Sequence, residues 1–280
     1  MFNVQAGYGM EMTGIAEQQP QRSVGAGKIG FGLNGLEMLY QSGCAKIMLP
    51  RSYCDIPEAI IVNTGGGLTG GDSFFIHAKV GGVGSLCVSS QAAERIYRSA
   101  GGRARISNNV DVGSGCHLDW LPQETILFDE SALSRNFEAH LEKNSSLLAL
   151  EMLVLGRGEM GEVLKKVSFN EQWRVWRDGK LIYADGLRFA EPEIGKLSQP
   201  ATFASNRALA VLLYVAPDAL ERLGEAKSLL RELDIETAIS AWNDMMVVRF
   251  ISEEACIMHR AMKKYLLGFR GRDLPRVWHV

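Results

Sequence analysis

The sequence predicts a mainly β protein whose few α-helices lie toward the C-terminus. Between about residues 29 and 215, short apolar or alternating runs are interrupted by turn residues roughly every 8 to 15 positions, the spacing of an all-β chain. Asp178-Gly179 stands between two such runs and is a strong two-residue hairpin signal. No helix–strand alternation of the βαβ kind interrupts this pattern. The strands are too many for one small sandwich. Stacked or coiled sheets, a β-helix-like body, fit the pattern as well as a sandwich does, and spacing alone does not choose between them.

Residues 1–28 read as a mobile N-terminal arm, polar and glycine-rich, and residues 29–280 as a single domain without repeats, linkers or low-complexity stretches. Strands are expected over residues 47–49, 59–62, 74–80, 85–89 and 104–110. Gly113-Ser114-Gly115 then turns the chain into residues 116–120. Further strands are expected over 125–128, 135–142, 147–155, 164–169, 173–177, 180–184 and 207–215. Pro217-Asp218 is a helix opening, with Leu220, Leu223, Leu229 and Leu230 near one face of a segment reaching Leu233. Residues 245–251 read as a strand. Ser252 is a candidate cap for a second helix over 257–267, stopped by Gly268.

Composition excludes several function classes. With 280 residues and a net charge of −2 the chain has no basic footprint for nucleic acid. It has no 18-residue apolar run for a membrane span. No cationic start followed by an apolar run marks a signal peptide. The five cysteines are widely spaced and form no Cys-x-x-Cys, which fits free thiols in a reducing cytoplasm. The five histidines are scattered. Cys116-His117, adjacent in a strand, would face opposite sides and not readily share a metal. No Ser/His/Asp or Cys/His order suggests a nucleophile, and no catalytic reading rises above background.

The stretch from Asn63 to Asp72 carries five glycines in residues 65–71 between two strands. A phosphate loop would end in Gly-Lys-Ser/Thr and open a helix. This one ends in Gly71-Asp72-Ser73 and leads into alternation, so it reads as a tight turn. Other acids stand out by setting. Glu124 follows Trp120-Leu121-Pro122-Gln123. Glu151 interrupts a strand that is apolar on both faces, and is expected either in a buried ion pair, with Arg157 as a nearby candidate partner, or lining an internal path. Glu162 carries the same two readings. Arg95 and Arg98 sit in a polar loop, either solvated or gripping a partner's acids.

Five segments in order resemble the UreD (UreH) family of urease accessory proteins. They are the glycine turn at 63–72, Ser90 to Ser99 with its Gln-Ala-Ala start, Trp120 to Asp129, Glu151 to Glu162 with its Gly-Arg and Gly-Glu pairs, and Leu274-Pro275-Arg276-Val277-Trp278. The resemblance implies a β-helix-like body and a non-enzymatic role in urease maturation. It implies binding to apo-urease subunits with UreF and UreG in a hetero-oligomer, and support for Ni²⁺ insertion, with an internal nickel passage through the family's fold. No tightly bound cofactor is expected, only transient Ni²⁺. Asp72, Glu124, Glu151 and Glu162 are the expected lining or support of such a path. The alternative is a scaffold that docks the other proteins without touching nickel.

Overall fold

A computed structural model describes residues 22–51, 56–82, 84–190 and 193–279. Its strands in chain order begin with β1 (Val24–Gly32), β2 (Gly35–Gly43), β3 (Ala45–Met48), β4 (Glu58–Asn63), β5 (Ser73–Val80), β6 (Ser85–Ser90) and β7 (Glu94–Ile96). Then come β8 (Ala104–Val112), β9 (His117–Leu121), β10 (Thr125–Leu127), β11 (Ser131–Leu141), β12 (Ser146–Leu155), β13 (Val167–Arg177), β14 (Lys180–Phe189) and β15 (Ala208–Val215). The C-terminal part holds α1 (Leu223–Arg231), β16 (Glu236–Trp242), β17 (Met245–Ser252) and α2 (Ala255–Arg270).

The chain passes repeatedly between two sheets. One has the order β14-β13-β11-β8-β5-β1-β2, with parallel pairing from β13 through β1. The other has the order β16-β17-β15-β12-β9-β6-β4-β3, parallel from β12 through β4. The short β7 and β10 pair with each other, and β10 also pairs with the end of β12, forming a narrow third face. The result is a β-solenoid of about four turns with two helices near its C-terminus. The choice that strand spacing left open is therefore settled for coiled sheets.

Parallel, in-register pairing stacks residues of one parity into columns. Ile76, Asn108, Phe137 and Trp173 form one such inward column, and Phe74, Ile106, Arg135 and Glu171 another. The interior they fill is one apolar core. A second core lies between the outer face of the second sheet and the helices. β12 belongs to both: Leu147, Ala149, Leu153 and Leu155 face the solenoid interior, and Leu148, Leu150, Met152 and Val154 face the helical layer. Its apolar character on both faces follows from that position.

The glycine turn forms the first rung of the third face. Leu68, fully buried, bridges Ile96, which pairs in turn with Leu127. Its amide donates to the Arg95 carbonyl at 2.8 Å, and its carbonyl accepts from the Tyr97 amide at 2.8 Å. Gly67 has φ +151°, and a Cβ there would overlap the Tyr97 ring. A Cβ on Gly70 would overlap Ser99 Oγ and the Gly101 carbonyl. Close approach of two segments of the chain, not anion binding, requires these glycines.

Several boundaries differ from expectation. β1 starts at Val24, inside the stretch expected as an arm, because its alternate residues Gly25, Gly27 and Ile29 stack against the neighbouring coil. Residues 1–21 and Cys54 lie outside the described residues. The expected strands at 164–169 and 173–177 are one strand, β13. Helix α1 begins only at Leu223, after turns. Helix α2 runs through Gly268 and stops at Gly271, which is left-handed at φ +62°. Gly268 instead marks the crossing with α1, where a Cβ would lie 2.6 Å from Leu229. Glu254, not Ser252, occupies the cap position of α2. Among the described residues no helix is long and apolar enough to cross a membrane.

Gly70→Ala is expected to lower stability by about 1–3 kcal/mol, because the new methyl meets the Gly101 and Gly102 backbone carbonyls as well as the Ser99 hydroxyl, and the backbone cannot simply rotate away. Urea unfolding of the two proteins measures it. An unchanged midpoint would show that the turn has room the geometry denies.

Candidate functional site: a charged cluster inside the solenoid

Arg135 on β11 shares its parity with Phe137, Ala139 and Leu141, so the pleat points its guanidinium into the core. Glu171 is its in-register neighbour on β13, and Glu151 reaches in from β12 on the opposite sheet. Arg135 Nη1 lies 2.7 Å from Glu151 Oε2 and donates to Thr125 Oγ1 at 2.7 Å. Its Nε donates to Glu171 Oε1 at 2.6 Å, and Nη2 lies 2.5 Å from the same oxygen. Trp120 Nε1 donates to Glu151 Oε1 at 3.2 Å, and Asn108 also hydrogen-bonds Glu151. All three charged residues are buried.

One guanidinium thus serves two carboxylates, and the cluster is short of positive charge. Burial pushes the Glu151 carboxyl above the usual carboxylate range, with Glu171 adding to it. Arg135 and the Trp120 and Asn108 hydrogen bonds oppose the rise. Glu171 also lines a cleft of about 360 Å³ between β13–β14 and β16–β17. At that cleft Asp185 Oδ2 accepts from Arg249 Nη2 at 2.6 Å and from the Tyr183 hydroxyl at 2.8 Å, and Glu236 lines the same wall.

The four acids singled out from the sequence fall in different places. Only Glu151 belongs to the cluster. Asp72 is buried in the β4–β5 turn, where Oδ1 accepts the Ser23 amide at 2.7 Å and Oδ2 the Thr69 amide at 2.8 Å, tying the start of β1 to the turn. Glu162 receives the Arg157 amide and guanidinium and the Asp129 amide, which fixes the β12–β13 loop. Glu124 is half-buried just before β10, and its carbonyl accepts the Glu94 amide at 2.9 Å. Arg157 was the expected partner of Glu151; it pairs with Glu162, because Gly156 at φ +76° turns it out of the strand. Arg98 pairs with Glu130 of the same chain at 2.8 Å.

Arg135 and Glu171 escaped the sequence reading. Their signal was a charged residue on the apolar parity of an alternating strand. Asp119 escaped it too. Fully buried on the helix-facing side of β9, it binds Arg270 Nη2 at 2.8 Å, Arg272 Nη2 at 2.6 Å and His117 Nε2 at 2.8 Å. Burial works to raise its carboxyl, but His117, Arg270 and Arg272 outweigh that and hold it well below the usual range. Glu94, half-buried with its carboxyl enclosed, is pushed up to about 7 by desolvation, against a 2.9 Å hydrogen bond from Asn63 Nδ2. Cys116 Sγ donates to the Gly82 carbonyl, while His117 bonds Ser146 Oγ at 2.7 Å, so the adjacent pair does not share a ligand. Among the described residues no three His, Cys, Asp or Glu side chains are grouped to hold a metal ion.

Fold and interior together define a β-solenoid protein with Arg135, Glu151 and Glu171 tied into ion pairs across its coils. The model of the UreD urease accessory protein family matches residues 25–279. A urease accessory protein UreD from Xanthobacter autotrophicus is 44% identical over 247 residues, covering 88% of this chain and 85% of the relative. One from a Chelativorans species is 41% identical over 265 residues, with 93% and 95% covered. One from Azorhizobium caulinodans is 38% identical, with 92% and 98% covered. The chain belongs to the UreD family of urease accessory proteins. It is accordingly a non-catalytic protein of urease maturation.

Two outcomes follow from this geometry. Arg135→Met leaves two buried carboxylates without their cation and is expected to cost about 3–5 kcal/mol in denaturant unfolding. Replacing Arg135, Glu151 and Glu171 together by apolar residues is expected to cost much less, because no buried charge is left unpaired. Glu94 gives a pH signature. Its carboxyl titrates at about 7 when folded, against an ordinary 4.5. Between those values the folded chain holds a proton that the unfolded chain has released. Its stabilisation is therefore complete below the ordinary value and is lost as pH rises through about 7. Relative to Glu94→Gln, the unaltered chain should lose stability between pH 5 and 7.5, as urea titrations at the two pH values would show. Parallel curves would remove the assignment.

Proposed function

We propose that this chain docks apo-urease together with UreF and UreG in a cytoplasmic hetero-oligomer, and that Ni²⁺ crosses its interior on the way to the urease active site. The observation that carries this reading is the cluster of Glu151 and Glu171 around one guanidinium in an otherwise apolar solenoid, with Glu171 opening onto a cleft. A dication in an apolar core is costly, and carboxylates along its way lower that cost, as acidic rings do in pores. Carboxylate oxygens also hold Ni²⁺ less tightly than imidazole or thiolate, which suits cargo that must leave. In this reading Glu151 lines the passage, with Asp72, Glu124 and Glu162 lining or supporting it. Nickel is cargo, with no tightly bound cofactor involved.

The second reading is a scaffold that joins UreF, UreG and urease without contacting nickel. It is favoured by the carboxylates of Asp72 and Glu162, whose oxygens are already committed to backbone amides and, for Glu162, to Arg157.

Urease activation by variants in which each of Asp72, Glu124, Glu151 and Glu162 is replaced by its amide separates the two. The passage predicts a severalfold fall in urease nickel content and activity, largest for Glu151→Gln, with complex formation intact. Full activation by all four variants would leave the scaffold. Loss of folding in a variant would assign that carboxylate to structure alone.

A further inference from the structure

The glycine turn between β4 and β5 is ringed by arginines. Arg22 lies against Gly71, where an added Cβ would come 2.8 Å from its Nε. The Gly71 amide donates to the Arg103 carbonyl at 3.0 Å, and the Arg105 amide donates to the Asp72 carbonyl at 2.9 Å. Arg98 joins them because Thr69 Oγ1, in the same turn, donates to its carbonyl at 2.8 Å. Arg22, Arg98, Arg103 and Arg105 are all exposed. Two acids stand among them, and both are occupied. Asp72 is 5% exposed with its oxygens on the Ser23 and Thr69 amides, and Glu130 pairs with Arg98 at 2.8 Å. Among the described residues no carboxylate pairs with Arg22, Arg103 or Arg105.

The backbone that presents these cations is fixed. Asp72 ties the residue after Arg22 to the turn, and Ser99 Oγ donates to the Gly102 carbonyl at 2.9 Å and accepts the Gly101 amide at 3.1 Å just before Arg103. Like charges crowded about one turn cost the isolated chain and return nothing to it. Guanidinium forks held on a fixed backbone match carboxylates in two-point contacts. Apolar surface lies alongside. Val24, 61% exposed, shares an outward row with Ser73 and Arg105 in register. Tyr97, 36% exposed, precedes Arg98, and its hydroxyl donates to the Gly66 carbonyl at 3.0 Å. Arginine and tyrosine beside an apolar contact are what protein-binding surfaces concentrate. A nucleic-acid track would need a basic stripe. The outward residues of β8 instead run from Arg105 through Ser107 and Asn109 to Asp111.

We infer that the corner formed by Arg22, Arg98, Arg103 and Arg105 at the glycine turn is a docking surface for an acidic segment of a partner protein. The partner's carboxylates take the guanidinium forks, and an apolar side chain beside them rests on Val24 and Tyr97. The inference rests on the reading that this chain docks other proteins of urease maturation, and names the face that does so. On a chain of net charge −2, a local excess of positive charge also orients the encounter with an acidic partner.

Binding to apo-urease, UreF and UreG, each measured separately at low and at high salt, tests this on the full-length chain and on its Arg103→Gln/Arg105→Gln and Arg103→Glu/Arg105→Glu variants. Affinity for one of the three proteins should fall at least about tenfold in the Gln variant and further in the Glu variant, and its salt dependence should weaken. The urea midpoint should stay unchanged in the Gln variant, which decides the matter if charge reversal unfolds the chain. Unchanged affinity for all three proteins overturns the inference and leaves docking to another face. Failure of the unaltered chain to bind any of them removes the docking reading and the inference with it. A loss confined to binding of a single-stranded RNA oligonucleotide, with all three proteins bound as before, overturns it as well and assigns the corner to nucleic acid.

Discussion

The structure depends on one constraint: coils stacked in parallel and in register. Each inward residue faces the residue at the same position one coil away, so an inward polar group must find its partner on a neighbouring rung or across the interior. Arg135 meets this condition with Glu171 beside it and Glu151 opposite, while Thr125, Trp120 and Asn108 take up remaining hydrogen bonds. Three apolar residues would fill the same space without the desolvation cost. A charge cluster retained at that cost, with one carboxylate at the wall of a cleft, is what sets this interior apart from simple packing.

The second sheet is held between two cores, and that arrangement explains the motif segments. Trp120 faces the interior, while Leu121 accepts the Trp278 indole at 3.1 Å. Gln123 donates to the Val277 carbonyl at 3.2 Å and lies 3.1 Å from His259, whose ring stacks on Trp278. The segment at 120–123 and the C-terminal segment at 274–278 are thus two halves of one clamp. Asp119, between them and α2, anchors Arg270 and Arg272 to β9. The Gly-Arg and Gly-Glu pairs at 156–162 close on each other through Arg157 and Glu162, leaving Met160 exposed on the loop they fix.

Much of the fold was legible in sequence, because alternation and glycine turns are local properties of a pleated chain. Most interior coil strands left a trace; β7, three residues long and hidden in a polar loop, did not, and β1 was read largely as an arm because its alternate positions are glycines. β2 was invisible because its residues alternate in no way that burial would impose, and nearly all of them are exposed. β16 was missed because its alternation is carried by small and polar residues. Of the site, Glu151 was visible as an acid in a doubly apolar strand. Its partner was not, since Arg135 and Glu151 are joined across the solenoid and not along the chain.

The sequence by itself determined the β character, the turn at residues 63–72 and the family. Side-chain parity and five ordered motifs are written into neighbouring residues and survive without coordinates. Tertiary structure alone decided which charges meet. Register between coils is set by the whole stack, so the pairing of Arg135 with Glu151 and Glu171, and of Asp119 with Arg270 and Arg272, depends on positions that sequence distance does not encode.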